Sequence, residues 1–163
     1  MDKDKGVLKN HFLKIFRHMK WSDIKVLNLL EEENIRGGKT VELLSHILIA
    51  EDTWLKRIKG EFYDNQFWKL LKLEECRTLV ENTNLNFMKY IKSLAGSDFQ
   101  KMISYRNSRG ADYITSIEDI LTHVGFHGMY HRGQIMMLMR NSGQDIIATD
   151  YVMFIREDEH EEK

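Results

Sequence analysis

The stretch Ile120-Leu121-Thr122-His123-Val124-Gly125-Phe126-His127-Gly128-Met129-Tyr130-His131-Arg132-Gly133-Gln134-Ile135 places three histidines four residues apart. On a helix each step of four advances the position by about 40°, so His123, His127 and His131 project from one stripe. A helical His-x-x-x-His pair can offer two imidazoles to one metal ion. Three uncharged imidazoles have little reason to share a buried face without a cation. Spacing leaves the pair open: His123/His127 and His127/His131 are equivalent. The helix that carries them starts at Ser116-Ile117-Glu118-Asp119, a weak capping box with Asp in place of Glu. It runs to about residue 141, where Ser142-Gly143 closes it.

Working outward, a second helix carries Leu43, His46, Ile47, Ala50 and Trp54 at the i, i+3, i+4 spacing of one face. His46 therefore faces the core and can supply a third imidazole from a facing helix. Thr40 reads as its N-cap, and Gly60 as the left-handed residue that ends it near residue 59. A first helix is expected over residues 8–33, with Leu8, Phe12, Ile15, Phe16, Met19, Val26, Leu27 and Leu30 near a 3.6-residue period. Asn34 to Gly38 breaks it. A third helix is expected over residues 73–94. The aromatic-rich residues 61–72 form an irregular connection. A short β-hairpin over 99–105 and 112–115 flanks the turn sequence Arg106-Asn107-Ser108-Arg109-Gly110-Ala111. The architecture predicted is all-α: a four-helix bundle with a small hairpin between helices 3 and 4.

Composition narrows the function classes. Lys and Arg (24) nearly balance Asp and Glu (25) in 163 residues, which argues against a general nucleic-acid binder. No apolar run approaches the ~20 residues of a membrane span, and the N-terminus lacks a signal peptide's apolar stretch. With one cysteine, Cys76, no internal disulfide can form. A cytoplasmic protein is expected, one domain over 1–156 with an acidic, solvated tail over 157–163.

Three neutral imidazoles leave a divalent ion its full charge and an open coordination position, as in catalytic rather than structural sites. Other residues carry competing readings. Arg132 and Gln134 flank the last histidine and can orient a substrate or a ligand ring; Arg132 can instead pair with a carboxylate such as Asp150. Glu51 and Asp52 are candidate general bases beside a metal, although both lie just beyond the face that holds His46. Gly125, Gly128 and Gly133 each cost helix propensity, which close packing would explain. Met136, Met137 and Met139 read as core filling or a dimer face, and Cys76 as a small core residue. The ferritin-like pattern Glu-x-x-His occurs only at Glu157–His160, in the tail, which excludes a di-iron bundle.

The run from Ile120 to Ile135 resembles the signature of the DinB family, DNA-damage-inducible and YfiT-like: a His, then His-x-x-Tyr-His-Arg-Gly-Gln. Leu44-Ser45-His46-Ile47-Leu48-Ile49-Ala50-Glu51-Asp52-Thr53-Trp54 is similar to the family's second-helix segment. Residues 105–110 resemble its hairpin turn and 149–154 its C-terminal segment. The resemblance implies a bundle of unusual connectivity and a zinc- or nickel-like divalent ion held by His46, His127 and His131. His123 matches a position that is usually His without being a ligand. It further implies a homodimer and a small-molecule activity. The expected reaction is thiol-dependent S-transfer between a small thiol and an electrophile. Metal-dependent hydrolysis and a non-catalytic, metal-stabilised stress-response protein are the alternatives.

Overall fold

Each of the four long helices carries two apolar blocks separated by a polar step at mid-length. That pattern sets the architecture. The computed structural model describes residues 3–161, with side chains from 6 to 157. The helices are α1 (Lys3–Glu32), α2 (Gly38–Lys59), α3 (Leu73–Ser93), α4 (Ile117–Asn141) and α5 (Tyr151–Glu161). A 3₁₀ turn (Gly96–Gln100) leads into a hairpin of β1 (Met102–Arg106) and β2 (Asp112–Ser116).

One core joins Val26, Leu27 and Leu30 of α1 to Val41, Leu44 and Leu48 of α2, Cys76 and Val80 of α3, and Ile135 and Met139 of α4. The other joins Phe12, Phe16 and Met19 to Leu55 and Ile58, Phe87 and Ile91, and Ile117, Leu121 and Val124. Burying each such side chain stabilises the fold by about 1.5–3 kcal/mol before chain entropy is set against it. Between the cores lies a buried polar layer: His18, Ser22 and Asp23 of α1, Glu51 of α2, Thr83 and Asn84 of α3, and Arg132 of α4.

Membership of the two cores also gives the direction of each helix. The C-terminal halves of α1 and α4 share a core with the N-terminal halves of α2 and α3. The order is therefore up, down, down, up. Helix α1 packs mainly against α3 and α4, and α2 against α4 and α3, so the sequence neighbours α1 and α2 sit on a diagonal. Two parallel neighbours cannot be joined by a tight turn. Residues 60–72 consequently run the length of the bundle from the end of α2 to the start of α3, across its flank.

The four expected helices and the hairpin are present, with differences at their edges. Helix α1 begins at Lys3 rather than at residue 8; Val7 in its first turns is exposed, so no apolar period marks them. Thr40 is not the cap of α2, which starts at Gly38 after an extended Gly37 without a side-chain cap. Gly60 does end it in the left-handed region, at φ 68°. Phe99 lies in the 3₁₀ turn instead of a strand; it is fully buried and stacks on Phe12 at 5.6 Å. Ser116 caps α4 by accepting from the Asp119 N–H at 3.1 Å and donating to its carboxylate at 2.6 Å.

The fifth helix was not expected. It docks on α1 through Phe154, which contacts the rings of His18 and Trp21. Glu157 accepts from Trp21 Nε1 at 2.8 Å and from Lys25 Nζ at 2.7 Å. The start of the expected solvated tail is thus tied down, and the helix continues to Glu161; residues 162–163 lie outside the described residues. Cys76 is a core residue, its thiol pushed up to about 11 by burial, hence unreactive. No helix among the described residues is long and apolar enough to cross a membrane.

Candidate metal centre

Helix α2 lies against α4, which sets His46 opposite two turns of α4. His46, His127 and His131 come together, each offering one ring nitrogen, with these atoms within 4.8 Å of one another. Ring centroids stand 5.1 Å apart for His46–His127, 4.8 Å for His46–His131 and 4.6 Å for His127–His131. His123 remains one turn away, 5.6 Å from the His127 ring and 5.2 Å from Trp54, outside the group.

The donor chemistry suits a divalent ion. His46 donates its Nδ1–H to the Phe67 carbonyl at 2.9 Å, and His131 donates its Nδ1–H to Gln134 Oε1 at 2.7 Å. In both rings the Nε2 lone pair is left to point elsewhere, the arrangement by which outer partners fix ligand imidazoles. The surroundings of His127 and His46 favour the neutral ring, the form that can bind a metal. Burial, then the neighbouring imidazoles, push His127 down to about 3. Burial also lowers His46, against the opposing hydrogen bond to Phe67. A +2 ion would be the natural occupant of such a group.

The connection 60–72 supplies the outer wall. Trp68 stacks flat on His46, centroids 3.9 Å apart and planes 4° from parallel, with Lys39 Nζ 4.8 Å above its ring. A cavity of about 340 Å³ opens beside His46 and His127, walled by Trp54, Phe67, Trp68, Arg57 and the hairpin-turn residues Asn107 and Ser108. That turn is held by Asn107, whose side-chain oxygen accepts from the N–H groups of Arg109 and Ala111.

The DinB family model matches residues 8–162. The chain belongs to the DinB family. Protein DinB of Bacillus subtilis (strain 168) is 23% identical over 158 aligned residues, covering 87% of this chain and 92% of the relative. The crystal structure of a DinB-like protein from Bacillus cereus ATCC 10987 superposes with a TM-score of 0.67 at 18% identity, over 84% of this chain and 94% of that one. That likeness speaks for the fold. In this DinB-family chain the three-histidine group could hold a metal ion.

The other residues singled out in the sequence fall in three places. Gln134 holds His131, as above. Arg132 turns away from the imidazoles into the polar layer, where its Nη1 donates to Asp23 Oδ1 at 2.7 Å. Asp150 is not its partner. Arg132 lies on the inward stripe of α4 above Gly128, so its head crosses to α1, whereas 144–150 passes outside, with Thr149 O accepting from His18 Nε2 at 2.8 Å. Glu51 is not exposed and does not line the cavity beside the imidazoles. It is buried, and its carboxyl hydrogen-bonds to Asp23. Burial, then the Asp23 charge, push Glu51 well up, and burial also raises Asp23 against the opposing charge of Arg132. Asp52 pairs with Lys56 at 2.6 Å on the outer face of α2.

Two neighbours of the centre were not read from sequence. Arg57 extends the stripe His46, Ala50, Trp54 by three residues, a signal that was there to follow. The carbonyl of Phe67 left no such signal, because a main-chain contact from an irregular segment has no side-chain code.

Proposed function

We propose that this protein is a divalent-metal-dependent transferase, zinc or nickel being its ion, that joins a small-molecule thiol to an electrophile. The observation that carries the reading is the lining of the cavity beside the imidazoles, which includes no carboxylate. A divalent ion held by His46, His127 and His131 would supply a Lewis acid that makes a coordinated thiol nucleophilic at neutral pH. A thiol has one proton to lose, from an ordinary pKa of about 8.5, and needs no side-chain base to lose it. Water attacking in a hydrolysis gains from a neighbouring carboxylate base, and Glu51 and Asp52 are both engaged elsewhere.

The chain's own residues then do three things. His46 and His131, anchored through Nδ1, keep their rings oriented. Trp68, flat on His46, shields one side of the centre from water. Trp54, Phe67 and Trp68 give an apolar wall for the body of the electrophile. In the reaction the sulfur bonds to the electrophilic carbon, the leaving group departs with its electron pair, and the thiol proton goes to solvent.

The test is a turnover screen with several cytosolic thiols and activated electrophiles, comparing metal-loaded with chelated protein. Thiol consumption that needs both metal and electrophile is the expected result. Metal-dependent hydrolysis without thiol would move the reading to a hydrolase. Tight metal binding without any turnover would leave a metal-stabilised binding protein.

A further inference from the structure

The cavity beside the imidazoles contains a second chemical group that no partner explains. Arg57 is only 7% exposed, yet no carboxylate pairs with it among the described residues. Four aromatic rings surround its guanidinium instead: Trp54 at 4.5 Å, Tyr63 at 5.0 Å, Tyr105 at 5.1 Å and Phe67 at 5.6 Å. Its one hydrogen bond is long, Nη2 to the Arg106 carbonyl at 3.3 Å, and that carbonyl already accepts from Tyr63 Oη at 3.1 Å. The Nε–H is buried without any acceptor. What sets Arg57 apart is the lack of a carboxylate: Arg77 reaches Glu31, Arg106 reaches Asp112 and Arg132, although its Nε and Nη2 are also buried without acceptors, reaches Asp23.

An arginine remains charged at every physiological pH, and a buried charge is costly unless paired. Ring faces attract the cation but cannot accept its in-plane N–H bonds. The missing complement is an oxyanion. Because Arg57 shares its cavity wall with His46 and His127, an anion bound by it would present the rest of its molecule to the imidazole group. The cavity, about 340 Å³, lies at the small end of the ~300–1,000 Å³ range of small-molecule sites. Its remaining walls are aromatic, with Asn65, Asn107 and Ser108 as neutral polar groups.

We propose that Arg57 is a specificity-determining residue that binds the carboxylate of a small organic substrate with an apolar body. The guanidinium fork matches a carboxylate in plane, and the rings fix the fork before the ligand arrives. The proposal deepens, and rests on, the reading of this cavity as the reaction site.

The test uses benzoate as probe and benzamide as its neutral counterpart, titrated into zinc-loaded and metal-free protein. Tryptophan emission, from Trp54 and Trp68 in the wall, and calorimetry read binding; zinc uptake is measured separately. Benzoate should bind at least tenfold more tightly than benzamide, with or without zinc. Arg57→Met, which keeps the stem between the rings, should abolish that preference while still taking up one equivalent of zinc. Arg57→Lys, which keeps the charge without the fork, should weaken benzoate several-fold, and it decides the matter if the Met variant does not fold. Equal binding of benzoate and benzamide by the parent protein, or undiminished benzoate binding in either variant, overturns the proposal. So does a benzoate preference that appears only with zinc. Failure of the parent protein to take up zinc, with the benzoate preference intact, would instead overturn the metal reading.

Discussion

Arg132 and Asp23, 109 residues apart in the chain, meet at 2.7 Å with both side chains 1% exposed. Their ion pair ties α4 to α1 at the level of the polar layer, one residue from His131. Removing one partner of such a pair strands the other in the interior. Arg132→Met and Asp23→Leu should each cost about 3–5 kcal/mol in urea unfolding. The double substitution should recover a large part of that loss. Two single losses that simply add in the double variant would show that the groups do not act as a pair.

Glu51 gives stability an unusual dependence on pH. Its folded pKa lies well above its ordinary value of 4.5, so above that value the folded chain keeps a proton the unfolded chain releases. The stability it contributes is therefore complete below about pH 4.5 and is lost as pH rises towards the raised folded value. Glu51→Gln keeps a donor for Asp23 and has no proton to lose. Unfolding titrations should find the variant more stable than its parent at pH 8.5 and close to it at pH 4.5. A parent protein whose difference from the variant is the same at both values would contradict the raised Glu51 pKa.

The imidazoles slope the other way. With His127 near 3 when folded and about 6.5 when unfolded, the unfolded chain takes up a proton that the folded chain refuses. Stability of the metal-free protein should fall as pH drops through that window, by up to about 1.4 kcal/mol per unit for this one ring. His127→Gln should flatten the profile between pH 6.5 and 4. Parallel profiles for the two proteins would refute the assignment.

Much of the bundle is legible in the sequence because apolar periodicity records which face is buried. The histidine stripe on α4 and His46 on α2 were readable for the same reason. The polar layer was not, although it left a trace. The stripe of α1 runs Phe12, Phe16, Met19, then Val26, Leu27 and Leu30, and the gap is filled by Ser22 and Asp23, both buried. A carboxylate on an inward stripe demands a cation from elsewhere, but nothing local says that it comes from residue 132. Helix α5 was missed because its burial rests on Phe154 against His18 and Trp21. Glu157, where its acidic end begins, is held by Trp21 and Lys25 of α1.

Two glycines of α4 should respond oppositely to a methyl group. A Cβ on Gly128 would stand 2.8 Å from Arg132 Nη1, which is pinned by Asp23, whereas a Cβ on Gly133 meets nothing within 4 Å. Gly128→Ala should destabilise by about 1–3 kcal/mol, as overpacking does. Gly133→Ala should stabilise by up to about 1 kcal/mol through helix propensity. Thermal unfolding of the pair checks the contrast, and equal shifts would refute it.

Metal stoichiometry tests His127 as a metal ligand against its neighbour His123. His127→Ala should lose the one equivalent of zinc or nickel expected of the parent protein, and His123→Ala should keep it. Equilibrium dialysis with elemental analysis measures both. A full equivalent retained by His127→Ala would remove that residue from the site.

The long connection 60–72 separates two jobs that many small-molecule sites combine. The imidazoles stand on packed helices, while Asn65, Phe67 and Trp68 stand on a strap that places only Leu71 in a core before α3 begins. The strap orients His46 through a main-chain carbonyl, which every residue possesses. Side chains along it other than Trp68, which stacks on His46, can therefore be exchanged without dismantling the bundle or turning that imidazole. Natural drift and deliberate engineering alike can rewrite what the cavity admits while the three-imidazole group is left as it stands.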